Sequence, residues 1–238
     1  MPAPRSLKTR AAKRVQKDVV NRILRGLPNP SRHRLRQFAA SAAAQGESKE
    51  FRVLDAGAGK APFRGLFDHV TYETADFGQV NNKAYAQLDY VCDLTEIPVP
   101  DATYDLVLCT QVMEHVPDPV AVLREFHRVL KPGGEAWLSA PLFFMEHEQP
   151  YDFHRFTQFA WKKMAAETGF TVKQIKWLEG YYGTLSYQAR IGAQSLPNRW
   201  ILWRIALAVL ARQMARAEMK KKVHVGMPKN YRVVFVKP

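Results

Sequence analysis

One stretch restricts the folds open to this chain more than any other. Val53-Leu54-Asp55-Ala56-Gly57-Ala58-Gly59-Lys60-Ala61-Pro62-Phe63 runs from a short apolar strand into a turn with two glycines. A proline follows where helices favour one, in the first turn. Glycine takes φ > 0 without strain and lets a ligand come close to the backbone. Strand, glycine turn and helix start together open an α/β unit. In an open α/β sheet, ligands bind beyond the carboxyl ends of the strands.

The rest of the chain repeats the alternation. Residues 6–26 and 31–45 read as helices rich in Ala, Arg and Leu, separated by Pro28-Asn29-Pro30, with Ser31 as a cap and Gly46 as a stop. Strands are expected at 51–54, 69–76, 89–93, 104–110, 135–141, 170–178 and 231–237. The run 104–110, YDLVLCT, is apolar throughout, as a strand covered on both faces requires. Further helices are expected at 62–67, from Asp118-Pro119 to the stop KPGG at 131–134, from Thr157 to Thr168, and over 199–222. This order predicts an α/β fold with a doubly wound, mostly parallel sheet, and an antiparallel edge where the last two strands meet. Residues 1–50 read as a basic helical extension and 51–238 as the α/β domain, with a helical insertion over 181–228 before the last strand.

Charge divides the chain in the same places. Residues 1–50 hold 12 Lys/Arg against 3 Asp/Glu, residues 199–238 hold 10 against 1, and the middle holds 13 against 18. An acidic core between two basic ends points to an anionic partner surface or to solvated helical faces. Cys92 and Cys109 lie in apolar runs, so no disulfide framework is expected and a reducing cytoplasm is the default. Paired Cys/His spacing is absent, so no metal is expected. The N-terminal stretch has no apolar run of the signal-peptide kind. The longest apolar run, Trp200 to Ala211, is interrupted by Arg204 and falls short of the roughly 20 residues a bilayer span needs.

Three ligand classes compete for the glycine turn. A phosphate loop needs Gly-Lys-Ser/Thr, and Ala61 is no hydroxyl. A dinucleotide loop wants glycine at position 62, where Pro62 also removes a backbone N–H. S-adenosylmethionine carries no phosphate and asks only for close backbone approach and well-placed carboxylates. Asp55 suits its amino-acid part, and Asp76, 19 residues past Gly57, suits the ribose hydroxyls.

The segments VLDAGAG, TAD and YVCDLTEIPVPDATYDLVLCTQVMEHVPDPVAVLREFHRVLKPGGEAWLSAP together resemble the class I S-adenosylmethionine-dependent methyltransferases, closest to their type 11, quinone-biosynthesis-like subgroup. The resemblance covers about residues 51–180 and is looser to 238. It implies a three-layer, Rossmann-like, seven-stranded sheet with a reversed last hairpin. It also implies cofactor contacts at Asp55, Ala56, Gly57, Gly59, Asp76, Phe77, Asp93, Leu94, Thr110 and Gln111. Ala61-Pro62 departs from the pattern, since many members have another glycine there.

Residues 141–157, PLFFMEHEQPYDFHRFT, resemble a loop of many type 11 members and are expected to form the acceptor pocket. His147 is the first candidate base and His154 the second, because a neutral imidazole suits proton removal near neutral pH. Arg155 is a candidate clamp for an anionic group. Asp152 is the remaining catalytic candidate, or the partner that fixes Arg155. His115, after the fourth strand, either packs its loop or touches substrate.

Trp200 and Trp203 with a basic tail suit either a helix lying on an anionic membrane or a cap over the acceptor pocket. The scattered arginines favour the cap. The aromatic-rich 177–196 is expected to line that site. The leading expectation is a cytoplasmic methyltransferase acting on a small-molecule or lipid-linked acceptor, with possible peripheral contact with an anionic membrane. An RNA-modifying enzyme is the alternative from the basic ends, but no RNA module appears, and Thr110-Gln111-Val112-Met113 stands where base N-methyltransferases carry Asn/Asp-Pro-Pro-aromatic. A non-catalytic partner subunit that keeps the fold is the third reading.

Overall fold

A computed structural model describes residues 19–78, 84–221 and 223–238, so most of the expected first helix, 6–26, lies outside the described residues. The chain divides into two units. One is Arg32–Leu178 with Lys229–Pro238, and the other holds the residues up to Ser31 with Glu179–Pro228.

The first unit carries the sheet. Its strands are β1 (Arg52–Ala56), β2 (Thr71–Asp76), β3 (Tyr90–Val91), β4 (Tyr104–Thr110), β5 (Leu130–Pro141), β6 (Thr171–Trp177) and β7 (Asn230–Val236), in the order β3-β2-β1-β4-β5-β7-β6. Strands β1 to β5 pair in parallel, and β7 runs antiparallel to both β5 and β6. The reversed strand is therefore second from the edge. The strand order changes direction between β1 and β4, which opens a crevice at their carboxyl ends.

Helices α1 (Pro30–Ala43), α2 (Pro119–Val129) and α3 (Gln158–Glu167) flank this sheet. Strand alternation assigns the two faces. Val53, Leu106, Leu108, Trp137 and Val234 meet Phe38, Ala39 and Ala42 of α1. Leu54, Val107, Cys109, Leu138 and Phe235 meet Leu123 and Phe126 of α2 and Trp161 of α3. Both expected N-caps form: Asp118 accepts from the amides of Val120 and Ala121 at 3.0 Å, and Thr157 accepts from Ala160 at 3.2 Å.

Two local expectations fail. The helix expected at 62–67 is only a 3-10 turn, Arg64–Leu66. Six residues give too little length to offset helix nucleation. The stop KPGG also belongs to β5, because Leu130 already pairs with Tyr104, and Gly133 and Gly134 exchange hydrogen bonds with Lys237.

The second unit contains α4 (Tyr181–Ser195) and α5 (Ile201–Lys220). The sequence reading placed a helical insertion over 181–228 but gave bounds only to a helix at 199–222, and took the aromatics of α4 for pocket lining. Its buried face is made of Gly183, Thr184, Ser186, Ala189 and Ala193, which signal weakly in a hydrophobic pattern. The pair is antiparallel: Gly180 N–H donates to Glu218 Oε1 at 2.8 Å, Ser186 Oγ to the Ala211 carbonyl at 2.8 Å, and Arg204 Nε to the Ala193 carbonyl at 2.9 Å. Among the described residues no helix is long and apolar enough to cross a membrane.

Candidate active site

A cavity of about 360 Å³ lies at the crevice between β1 and β4. Of the expected cofactor contacts, Gly57, Asp76, Phe77, Asp93, Leu94 and Gln111 line it. Asp55, Ala56, Gly59 and Thr110 are not among its lining residues. Gly59 acts one step back, donating its N–H to Asp76 Oδ2 at 2.8 Å, while Gly78 N–H reaches Asp76 Oδ1 at 3.3 Å. Each carboxylate oxygen keeps capacity for a second hydrogen bond, so Asp76 can receive a pair of neighbouring hydroxyls. Phe77, 40% exposed, stands with Leu94 and Val112 as apolar wall. An acceptor of paired hydroxyls beside an apolar slot of this size fits a nucleoside.

Backbone geometry explains the glycine. Gly57 has φ +79°, and a Cβ there would lie 2.3 Å from Val112 Cγ2. Gln111, which follows β4, has φ +57° and is held by its N–H on the Ser139 carbonyl at 2.8 Å. A non-glycine residue in the left-handed region at a cavity wall is local strain of the kind found at ligand sites. Ala61 also has φ +47°. The position where many family members carry glycine is thus one that glycine would suit.

Asp55 sits beneath the turn, 2% exposed, and its carboxylate accepts the hydroxyl of Tyr72. Burial pushes its pKa to about 7, against the pull of that hydrogen bond. Its negative charge is therefore not assured near neutral pH.

The expected acceptor loop is built around an ion pair. Arg155 donates to both oxygens of Asp152 at 2.7 and 2.8 Å, and to the carbonyls of His154 at 2.7 Å, Met145 at 3.1 Å and Phe144 at 3.3 Å. These bonds use all five guanidinium donors and leave none for an anionic substrate. Asp152 also accepts the His147 N–H at 2.8 Å, and the Arg155 hydrogen bonds hold its carboxyl far below the usual carboxylate range. His154 Nε2 donates to the Pro117 carbonyl at 3.2 Å, which ties the loop to the segment after β4. None of His147, Asp152, His154 and Arg155 lines the cavity, whereas Glu148 and Tyr151 of the same loop do.

The histidine that does line the cavity is His115. Its Nδ1 meets the Tyr151 carbonyl, which can only accept, so the proton is on Nδ1 and Nε2 carries the lone pair. Nε2 is 3.9 Å from Glu114 Oε1. Glu114 is 0% exposed, and neither carboxylate oxygen has a hydrogen-bond partner among the described residues. Burial raises its pKa to about 8 and lowers that of His115. The His147 ring packs edge-on against His115, with centroids 4.6 Å apart. Ligand atoms of Glu114, His115 and His147 lie within 4.8 Å of one another, though the 3.9 Å between Glu114 and His115 exceeds the roughly 3.4 Å between ligands on a tetrahedral zinc ion.

The sequence reading left His115 open, had Glu148 only within the loop expected to form the acceptor pocket, and missed Thr95, Val112, Val116 and Pro117 as cavity wall. Asp118 was read only as a helix cap, a role it does fill. The one signal available was position: residues 111–118 directly follow the carboxyl end of β4.

A family model described as a methyltransferase domain matches residues 54–138. The ubiquinone biosynthesis O-methyltransferase of Pseudomonas fluorescens (strain Pf0-1) is 33% identical over 114 residues, covering 40% of this chain and 47% of that protein. The protein of the same name from Pseudomonas paraeruginosa is 53% identical over 36 residues, 15% of this chain and 16% of its own length. The chain thus spans less than half the length of these curated relatives. Among solved structures, a S-adenosylmethionine-dependent methyltransferase from Mesorhizobium loti aligns with TM-score 0.51 and 15% identity over 82% of this chain and 96% of that one. Phosphoethanolamine N-methyltransferase 2 of Haemonchus contortus, in complex with S-adenosyl-L-methionine, aligns with TM-score 0.52 and 15% identity over 84% and 52%. At such identities these structures establish the fold. Residues 54–138 thus match a methyltransferase domain, on a fold shared with S-adenosylmethionine-dependent methyltransferases.

Proposed function

We propose that this chain transfers a methyl group from S-adenosylmethionine to a hydroxyl of a small-molecule or lipid-linked acceptor. The observation that carries the reading is the cavity at the Gly57 turn, with Asp76 presenting free acceptor capacity at one side and the Nε2 lone pair of His115 at another. The names of the sequence relatives support an oxygen acceptor.

S-adenosylmethionine, when bound, supplies a methyl already activated on its sulfonium. The chain's own residues then have two tasks. Asp76, Asp93 and the walls at Phe77, Leu94 and Val112 hold the nucleoside, so that acceptor and methyl can be brought into line; such positioning is worth up to about 7–11 kcal/mol in good cases. His115 Nε2 takes the hydroxyl proton as the oxygen attacks. Burial keeps that imidazole neutral, and the Glu114 carboxyl 3.9 Å away ionises more readily once an imidazolium forms beside it. Arg155 and Asp152 hold the loop that brings Tyr151 onto His115 Nδ1.

Calorimetric titration with S-adenosylmethionine tests the reading. Saturable binding is expected, weakened about tenfold or more by Asp76→Ala, since hydrogen bonds to a charged group are worth about 1.5–3 kcal/mol. Absence of saturable binding favours a partner subunit that retains only the fold. Transfer of labelled methyl to RNA, rather than to a phenolic or lipid-linked acceptor in an extract, would replace the acceptor class.

A further inference from the structure

The hairpin of α4 and α5 presents an apolar surface with no described partner. The buried stripe of α5, Arg204, Ala208, Ala211, Ala215 and Glu218, follows helical spacing and faces α4. On the other side of α5, Leu202 is 78% exposed and Val209 39%, with exposed Ala206 between them, and the stripe continues as Gln213, Arg216 and Lys220. Trp200 and Trp203 flank its start at 46% and 63% exposure, just after the exposed Arg199 in the turn from α4. Large apolar groups exposed together mark an interaction surface.

Charge identifies the occupant. The acids among the described residues of this unit are Glu179 and Glu218, and both are 0% exposed. Glu218 accepts the amides of Gly180 and Gly183, and Glu179 accepts the Ser31 hydroxyl. The ionised groups that its described residues leave on the surface are Lys and Arg, among them Arg190, Arg199, Arg216 and Lys220. A second copy of the hairpin would bring the same sign. So would residues 1–18, with six Lys/Arg and one Asp. A nucleic acid would satisfy the cations but leave Leu202 and Val209 without partners. An anionic bilayer meets both demands: phosphate headgroups for the arginines, the acyl boundary for Leu202, and the interface that Trp favours.

We propose that the α4–α5 turn and the first half of α5 dock this chain on an anionic membrane surface, with Trp200, Leu202 and Trp203 entering the headgroup boundary. The helix lies on the bilayer rather than crossing it, because its arginines and lysine leave it too polar for a span despite its 20 residues. This assignment is independent of the methyltransferase reading, because docking needs neither cofactor nor acceptor.

The test is flotation of the full chain with vesicles of phosphatidylcholine mixed with phosphatidylglycerol, against phosphatidylcholine alone. Binding to the anionic vesicles is expected, with a blue shift in tryptophan fluorescence. Arg199→Gln should weaken it about fivefold, as one cation near such a surface contributes about 1 kcal/mol. A Trp200→Ala, Leu202→Ser, Trp203→Ala triple variant should lose at least tenfold while keeping the parent's circular dichroism and melting temperature, since all three side chains are exposed. Unchanged flotation of that variant would overturn the proposal by placing the membrane contact elsewhere, as in the basic residues 1–18. A dimer in the parent that the triple variant breaks, or RNA binding that it abolishes while vesicle binding stays negligible, would overturn it as well.

Discussion

Adding one methyl group at Gly57 tests how the cavity wall is built. The Cβ of Gly57→Ala would lie 2.3 Å from Val112 Cγ2, 2.7 Å from Cγ1 and 3.0 Å from Cβ, with the backbone at φ +79°. Two separable costs follow. The left-handed backbone costs a residue with a Cβ about 1–2 kcal/mol. Overpacking against Val112 costs about 1–3 kcal/mol more. Together they destabilise the fold by about 2–5 kcal/mol, a large share of the roughly 5–15 kcal/mol that holds a domain. Val112→Ala removes both Cγ atoms, so in the double variant the second cost largely disappears and the first remains. Urea unfolding of parent, both single variants and the double variant should give a coupling of about 1–3 kcal/mol that favours the pair. Cofactor binding should weaken in Gly57→Ala and recover only in part in the double variant, because Gly57 itself lines the cavity. Purely additive losses, or a single variant within about 0.5 kcal/mol of the parent, would refute the claim that Val112 is what requires glycine here.

Four further outcomes are expected. Glu114, with its pKa raised from 4.5 to about 8, contributes stability as a buried neutral acid that is lost as pH rises through 8, and Asp55 does the same from 3.8 to about 7. Between pH 7 and 8 the parent should therefore lose about 1 kcal/mol in urea unfolding, while Glu114→Gln keeps only the shallower slope of Asp55, less than half as steep; equal slopes would contradict this. Arg155→Met leaves the Asp152 side chain, 4% exposed, without its counter-charge and should cost about 2–3 kcal/mol by thermal melting, with loop 141–157 cut faster by protease. Arg155→Lys should restore less than half, since an ammonium lacks the two-pronged fork; full rescue would count against the five-bond arrangement. His115→Asn should lower kcat about 10²–10⁴-fold with cofactor affinity nearly unchanged, and His147→Asn should do much less; the reverse ranking would move the base back to the 141–157 loop. Ala61→Gly should lie within about 0.5 kcal/mol of the parent, because relief at φ +47° offsets the chain entropy glycine adds; a loss above about 1 kcal/mol would show that Ala61 is not strained.

Much of the cavity wall at the ends of β1 and β2 was readable from residues alone. Gly57 and Asp76 are tied to the ends of β1 and β2, and local chemistry specifies both: a left-handed turn and an acid at a strand's exit. The loop 141–157 was less readable. The sequence packs His147, Asp152, His154 and Arg155 into one short loop, which suggests a reaction centre. In the fold their hydrogen bonds turn mostly inward, to one another and to backbone carbonyls. Clustering along the chain cannot separate a loop that reacts from a loop that is tied down, because the same residue types serve both.

The sequence by itself determined the alternation of strands and helices, the capped starts of α2 and α3, the glycine turn and the uneven charge, since each depends on neighbours a few residues apart. Only the tertiary structure decided that β7 enters between β5 and β6, that Glu114 is buried beside His115 without a hydrogen-bond partner among the described residues, and that both acids among the described residues of the α4–α5 unit are hidden while Leu202 and Trp203 are exposed. Those outcomes depend on which surfaces meet across long chain separations, and burial, which sets the charge of a carboxyl and the use of an apolar side chain, exists only once they have met.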